Sequence, residues 1–223
     1  SAKGNVDTGL GKDVVYGSVG LLMPNQLITQ PTQKLQFDGV NFVFHNVPNA
    51  ECPAELTFSI PDKRLYDGAE NLSQTMHNLL PIRGAKVRDA LRWATYMEQA
   101  LQQTREAEVY IASHHWPIWG NANIQQFITM HRDVYKYTHD QTVRLMNAGY
   151  TPNEIADKVK LPKSLADFMA VRGHYGDLRH NVKAVYQFYL GFFDGNPAHL
   201  NPLAPTDVGK RYVELAGGAD KAL

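Results

Sequence analysis

The sequence predicts a mixed α/β fold that gives way, near residue 120, to an all-α region. Three observations carry the prediction. Short runs of apolar and β-branched residues, punctuated by turn dipeptides, fill the first third of the chain. A helix-period segment then stands between two short strand segments, the order of a layered α/β unit. Beyond residue 120 the apolar residues recur at helical spacing almost to the end. Residues 1–120 are accordingly assigned to an α/β domain and residues 121–223 to a helical region.

Val14–Leu22 reads as a first strand, followed by Pro24-Asn25 as a turn. Lys34–Phe37 and Val40–Phe44 flank Asp38-Gly39, a dipeptide suited to a two-residue hairpin turn. Glu55–Ile60 alternates polar and apolar, and a short strand is expected near Arg64–Tyr66 after Pro61-Asp62. Over Lys86–Glu106, Val87, Ala90, Leu91, Ala94, Met97 and Leu101 share one helical face. Val109–Ala112 is a short apolar run, read as a buried strand that delivers Ser113-His114-His115. Ile124–Ala148 forms one long helix ended by Gly149. Thr151, Pro152 and Glu154 compose a capping box with proline at the first helical position. Short helices are expected over Ile155–Val159 and Ser164–Met169, and a longer one over Val182–Phe193, stopped by Asp194-Gly195-Asn196-Pro197. Thr206 is read as the cap of a last helix reaching Ala216.

Composition narrows the function classes. Lys plus Arg and Asp plus Glu number 22 each, so charge balance gives no reason to expect nucleic acid or an anionic membrane surface as partner. No apolar run approaches the ~20 residues of a membrane-crossing helix. The single cysteine, Cys52, excludes an intrachain disulfide.

Acidic and histidine residues gather at the predicted strand ends. Glu51 precedes the strand starting at Glu55, Glu70 follows the strand near Arg64–Tyr66, and His114 and His115 follow Val109–Ala112. Side chains leaving neighbouring strand ends converge, and carboxylate oxygen with imidazole nitrogen suits zinc or a similar divalent ion. Taken singly, each acid reads equally as a solvated surface group. Of two successive histidines at a strand end, at most one points a given way. Arg83 reads either as a surface residue before a helix or as a bidentate partner for a tetrahedral oxyanion. His77 reads either as a satisfied core histidine or as a group that orients a neighbour or moves a proton.

The run Ala50-Glu51-Cys52-Pro53-Ala54-Glu55 resembles the Glu-x-Pro-Ala-Glu segment of the linear alkylsulfatases, the zinc enzymes of the metallo-β-lactamase superfamily that hydrolyse detergents such as dodecyl sulfate. The resemblance continues in order through Ala69-Glu70-Asn71, Met76-His77-Asn78, the Arg83–Ala90 run, Ser113-His114-His115-Trp116-Pro117 and His139-Asp140-Gln141-Thr142. It then covers His180–Gln187, Phe193-Asp194-Gly195-Asn196-Pro197-Ala198 and Gly217-Gly218-Ala219-Asp220, spanning nearly the whole chain.

The resemblance implies the second part of a metallo-β-lactamase αβ/βα sandwich, followed by a helical dimerisation region that makes a homodimer. It implies two zinc ions per site and hydrolysis of alkyl sulfate esters by a zinc-bound hydroxide. Glu51 corresponds to a terminal zinc ligand, Glu70 to a bridging one, and His115 rather than His114 to a ligand of the second ion. Arg83 corresponds to the sulfate binder, with Tyr16 and Arg88 as further candidates for that pocket, and His77 to a proton donor for the leaving alcohol. The family's His-x-His-x-Asp-His motif does not occur in these residues. The chain is therefore expected to be an internal piece that also lacks the C-terminal sterol-carrier-like domain. Alone it is expected to be inactive and to hold zinc poorly, its two glutamates repelling across an incomplete site. Relatives exported to the periplasm make that compartment the expected one. Two other readings compete: a hydrolase of the same fold acting on another ester, and a non-catalytic helical dimerisation module.

Overall fold

A computed structural model describes residues 17–173 and 175–222. Its strands are β1 (Thr32–Phe37), β2 (Val40–Asn46), β3 (Leu56–Ile60), β4 (Leu65–Asp67), β5 (Val109–Ile111) and β6 (Ile118–Trp119). They form one sheet in sequence order. Every neighbouring pair is antiparallel except β4 and β5, which run parallel, Leu65 opposite Val109 and Asp67 opposite Ile111. A parallel pair needs a crossover, and helix α1 (Ala90–Gln103) supplies it. The mixed α/β part is thus a strand meander that ends in one β–α–β unit.

The hairpin forms as its turn chemistry requires. Phe37 pairs with Val40, leaving Asp38 and Gly39 as the loop at φ 47° and 80°. Two positive φ values make the turn that matches strand twist, and aspartate and glycine tolerate them. The expected strand at Val14–Leu22 is not present over its described part: residues 17–22 are exposed and carry no strand. An apolar run becomes a strand only when a partner satisfies its backbone, and residues 17–22 pair with no strand among the described residues. Val14 to Tyr16 lie outside the described residues.

Helix α1 starts where the Asp89 side chain accepts from Arg92 N, and it buries Ala90, Trp93, Ala94, Met97, Ala100 and Leu101. It packs on α2 (Asn121–Asn147), the long helix expected from residue 124 onward. Trp93, Met97, Ile124, Ile128, Tyr135 and the sheet tyrosines Tyr66 and Tyr110 form one core. A second core lies under α3 (Pro152–Lys158) and α5 (Leu178–Leu190), where Ile155, Val159, Val182 and Tyr186 meet Leu145. The capping box at Thr151 and Glu154 is complete in both directions. Helix α4 (Lys163–Ala166) stands between these.

One compact unit extends through Tyr189 and a second comprises Leu190–Leu223. The composition change at residue 120 falls inside the first. In the second, α6 (Pro205–Leu215) and α7 (Ala219–Ala222) follow a turn in which His199 Nδ1 lies 2.7 Å from Asp194 Oδ2. Thr206 does not cap α6, contrary to expectation. The cap is Ala204, two residues earlier, and the helix begins with Pro205, because the fixed φ of proline suits the first helical position.

One close backbone approach yields a sharp prediction. Gly176 donates its N–H to Met76 O at 2.7 Å, and a Cβ there would stand 2.4 Å from Met76 O and 2.5 Å from His77 O. Gly176→Ala must push two backbone segments apart and is expected to cost about 1–3 kcal/mol. Denaturant unfolding reads this directly. An unchanged midpoint would mean that the approach is not held tightly.

Candidate metal centre

Three loops leave the same end of the sheet. Because β2–β3 and β3–β4 are antiparallel and β4–β5 parallel, the β2–β3 loop, the segment after β4 and the segment after β5 must emerge together. They carry Glu51, Glu70 and His114-His115 respectively. The last two are tied by Gly68 N to Ile111 O at 2.8 Å and Ser113 N to Ala69 O at 3.0 Å. Each loop contains one non-glycine residue in the left-handed region: Asn49 at φ 63°, Ala69 at 49° and His114 at 71°. Such conformations cost about 1–3 kcal/mol each and persist where the surroundings impose them.

The segment between β4 and α1 is irregular yet largely buried: Leu72, Ser73, Thr75, Met76, His77 and Leu79 are all inaccessible. A buried loop must find partners for its backbone, and the helices supply them. Trp93 Nε1 donates to Asn71 O at 2.5 Å, and the Tyr110 hydroxyl donates to Leu72 O. The Tyr135 hydroxyl accepts from His77 N at 2.8 Å. Asn181 of α5 clasps the loop twice, donating to His77 O at 2.8 Å and accepting from Leu79 N at 2.9 Å. The helical half of the chain therefore shapes the loop that carries His77.

Among the described residues, ligand atoms of Glu51, Glu70 and His77 all lie within 4.8 Å of one another, as do those of Glu51, Cys52 and Glu55. His114 Nε2 is 3.2 Å from Glu70 Oε1. His115 stands apart. Its Nδ1 is 2.6 Å from Trp116 O, its ring lies parallel to Tyr110 at 6.0 Å, and its Nε2 is buried without a hydrogen-bond partner. Successive residues point to different sides, and His114 rather than the expected His115 faces Glu70.

Electrostatics follow burial. Burial and the carboxylate of Glu70 raise Glu55 to about 7. His77 is pulled down to about 4, first by burial and then by His114 and His131. At neutral pH His77 is thus an uncharged imidazole, suited to accept or to ligate, and a weak source for the proton that its expected donor role requires. Its Nε2 is 3.0 Å from Ser73 Oγ, and its Nδ1 is buried without a hydrogen-bond partner.

Glu51 also borders a cleft of about 620 Å³, lined by Arg83, Lys86, Arg88 and Arg92 with apolar Val87 and Phe188. Arg83 sits exposed in the Pro81–Gly84 turn and has no ion pair among the described residues. Arg88 is buried, ion-paired to Glu51, and donates to Asn78 O at 2.8 Å. Of the residues expected to bind sulfate, Arg83 is therefore open to a ligand and Arg88 is engaged within the protein. Tyr16 lies outside the described residues. Sequence analysis gave no role at the centre to Trp93, Tyr135 or Asn181, of which Asn181 entered only as part of the His180–Gln187 run of the resemblance.

Comparison with known proteins places these features. Residues 151–223 match the alkyl sulfatase dimerisation family. The chain is 46% identical, over all of its length and 35% of the relative's, to the alkyl/aryl-sulfatase BDS1 of Saccharomyces cerevisiae. It is 45% identical to a linear primary-alkylsulfatase of a Pseudomonas species, again over its full length and 33% of the relative's. The solved structure of the stereoselective inverting sec-alkylsulfatase Pisa1 from Pseudomonas sp. superposes with a TM-score of 0.94 at 41% identity, covering 99% of this chain and 35% of that one. The chain spans about a third of the length of the relatives it matches. The likeness to these alkylsulfatases thus runs along the whole of this chain in sequence and in backbone geometry, and its last third matches the alkyl sulfatase dimerisation family.

Proposed function

We propose that this chain forms part of a zinc-dependent hydrolase of alkyl sulfate esters such as dodecyl sulfate. One observation carries the reading: Glu51 belongs both to the acid–histidine cluster and to the wall of the cationic cleft. A metal centre and an anion-binding, partly apolar groove thereby share an edge, which suits a substrate with a sulfate head and an alkyl tail.

The residues fit the metal. Two carboxylates and uncharged imidazoles form a donor set suited to zinc, and His77 Nδ1 and His115 Nε2 are buried nitrogens without hydrogen bonds. Glu51 and Glu70 are proposed to hold it, with His115 or His114 supplying an imidazole. Zinc bound there supplies Lewis acidity and lowers the pKa of water. Arg83 then binds sulfate oxygens through its guanidinium fork, and Val87 and Phe188 flank the alkyl chain. His77, uncharged, orients its neighbours and offers Nδ1 as a hydrogen-bond acceptor or a ligand. A homodimer through the helical region is proposed from the dimerisation match. Export to the periplasm is proposed from the family resemblance alone.

The test measures bound zinc, sulfate release from dodecyl sulfate and sedimentation. It compares this chain with a chain extended upstream to the length of its relatives and with the Glu70→Gln variant of that extended chain. The expected result is a dimer whose extended form holds two zinc ions and releases sulfate, both lost in the variant. Cleavage of another ester but not of alkyl sulfates would overturn the substrate, and zinc retention by Glu70→Gln would overturn the site.

A further inference from the structure

Arg88 precedes Asp89, the N-cap of α1, so its backbone is fixed by a helix start, and its own N–H donates to Leu79 O at 2.8 Å. Its side chain is only 8% exposed, and that of Glu51, its ion-pair partner, 12%. A second guanidinium nitrogen donates to Asn78 O at 2.8 Å, one residue beyond His77. The guanidinium carbon lies 5.9 Å over the Trp93 ring, which holds the plane of the group. Two of the loops that build the centre, one carrying Glu51 and the other His77, are thus joined by a single rigid fork.

We infer that Arg88 is a positioning residue of the metal centre, holding Glu51 at the orientation a cation requires and fixing it to the His77 loop, and that it is not a sulfate ligand. The inference rests on the metal-site reading above. A carboxylate offers two oxygens and about four lone-pair directions, so Glu51 can serve Arg88 and a cation together. Arginine suits the task because its planar fork fixes direction as well as charge, which the point charge of lysine does not. Without Arg88, Glu51 would lie near Glu70 and Glu55 with no ion-pair partner among the described residues and would swing toward water.

The test titrates Co²⁺, read by its visible absorption, and Zn²⁺, read by calorimetry. The proteins are the chain extended upstream to the length of its relatives and its Arg88→Lys, Arg88→Met, Glu51→Gln and doubly substituted Glu51→Gln/Arg88→Met forms. Arg88→Met is expected to weaken metal binding by roughly 10- to 100-fold, the usual consequence of removing a group that orients a ligand. Arg88→Lys should fall between it and the parent. In the Glu51→Gln background, Arg88→Met should add no further loss. Equal affinity of Arg88→Met and parent would overturn the positioning role while leaving the metal centre intact. An equal loss in both backgrounds would also overturn it, since Arg88 would then act through the fold at large. If the extended parent binds neither ion, the metal-site reading fails and this inference falls with it.

Discussion

Replacing Trp93 with alanine is expected to destabilise the chain by about 3–5 kcal/mol, the range for emptying a buried tryptophan site. Trp93 is completely buried, stacks on Tyr135 at 4.8 Å and 8°, and lies 5.3 Å from the His77 ring. Its indole N–H donates to Asn71 O at 2.5 Å, so alanine also leaves a buried carbonyl without its partner. Domains of this kind are stable by about 5–15 kcal/mol in total, so the loss is a large share. The damage should centre on the loop that carries His77. Chemical denaturation checks the size of the effect, and hydrogen exchange at the His77 and Leu79 amides checks its place. A change under about 1 kcal/mol would mean that the site collapses around the smaller side chain far better than packed cores usually do. Trp93→Phe should recover part of the loss by keeping the stack but not the hydrogen bond.

Acid should unfold the metal-free chain through two histidines, against an opposing carboxylate. His77 and His131 both sit at about 4 in the fold, chiefly because burial disfavours their charged form. An unfolded histidine titrates near 6.5, so between about 6.5 and 4 the unfolded chain binds more protons than the folded one. Their stabilisation is complete above 6.5 and is lost as pH falls through that window, on the order of 3 kcal/mol for each group. Glu55 acts oppositely. Raised from 4.5 to about 7, it takes up its proton in the fold first, so stability rises as pH falls from about 7 to 4.5. Two groups outweigh one, and the contribution of all three to stability should fall from pH 6.5 to 4. Unfolding curves recorded with a chelator across pH 4 to 8 test this. Glu55→Gln should steepen the acid loss and His131→Gln should make it shallower. Parallel curves for all three proteins would remove this account.

Much of the architecture is legible from local chemistry. Asp38-Gly39 predicts its hairpin because both residues accept positive φ, and Thr151 with Glu154 predicts its helix start because the two side chains cap the backbone reciprocally. The β4–α1–β5 unit follows from a change of period along the chain. Failures arose where a partner decided the outcome. Gly17–Leu22 has the composition of a strand and none of the pairing, and Ile118–Trp119 is too short to signal a strand until Val109 and Tyr110 stand opposite it.

The candidate site divides along the same line. The sequence by itself determined the family resemblance, the placing of Glu51, Glu70 and the histidine pair at strand ends, and the change to helices beyond residue 120. These depend on residue type and spacing, which are local. Only the tertiary structure decided that Arg88 is ion-paired to Glu51, that His114 rather than His115 meets Glu70, and that His77 is held uncharged between Trp93 and Tyr175. Those outcomes depend on desolvation and on the direction of each side chain. Both are set by residues far away in sequence, such as Asn181, which reaches His77 across 104 positions.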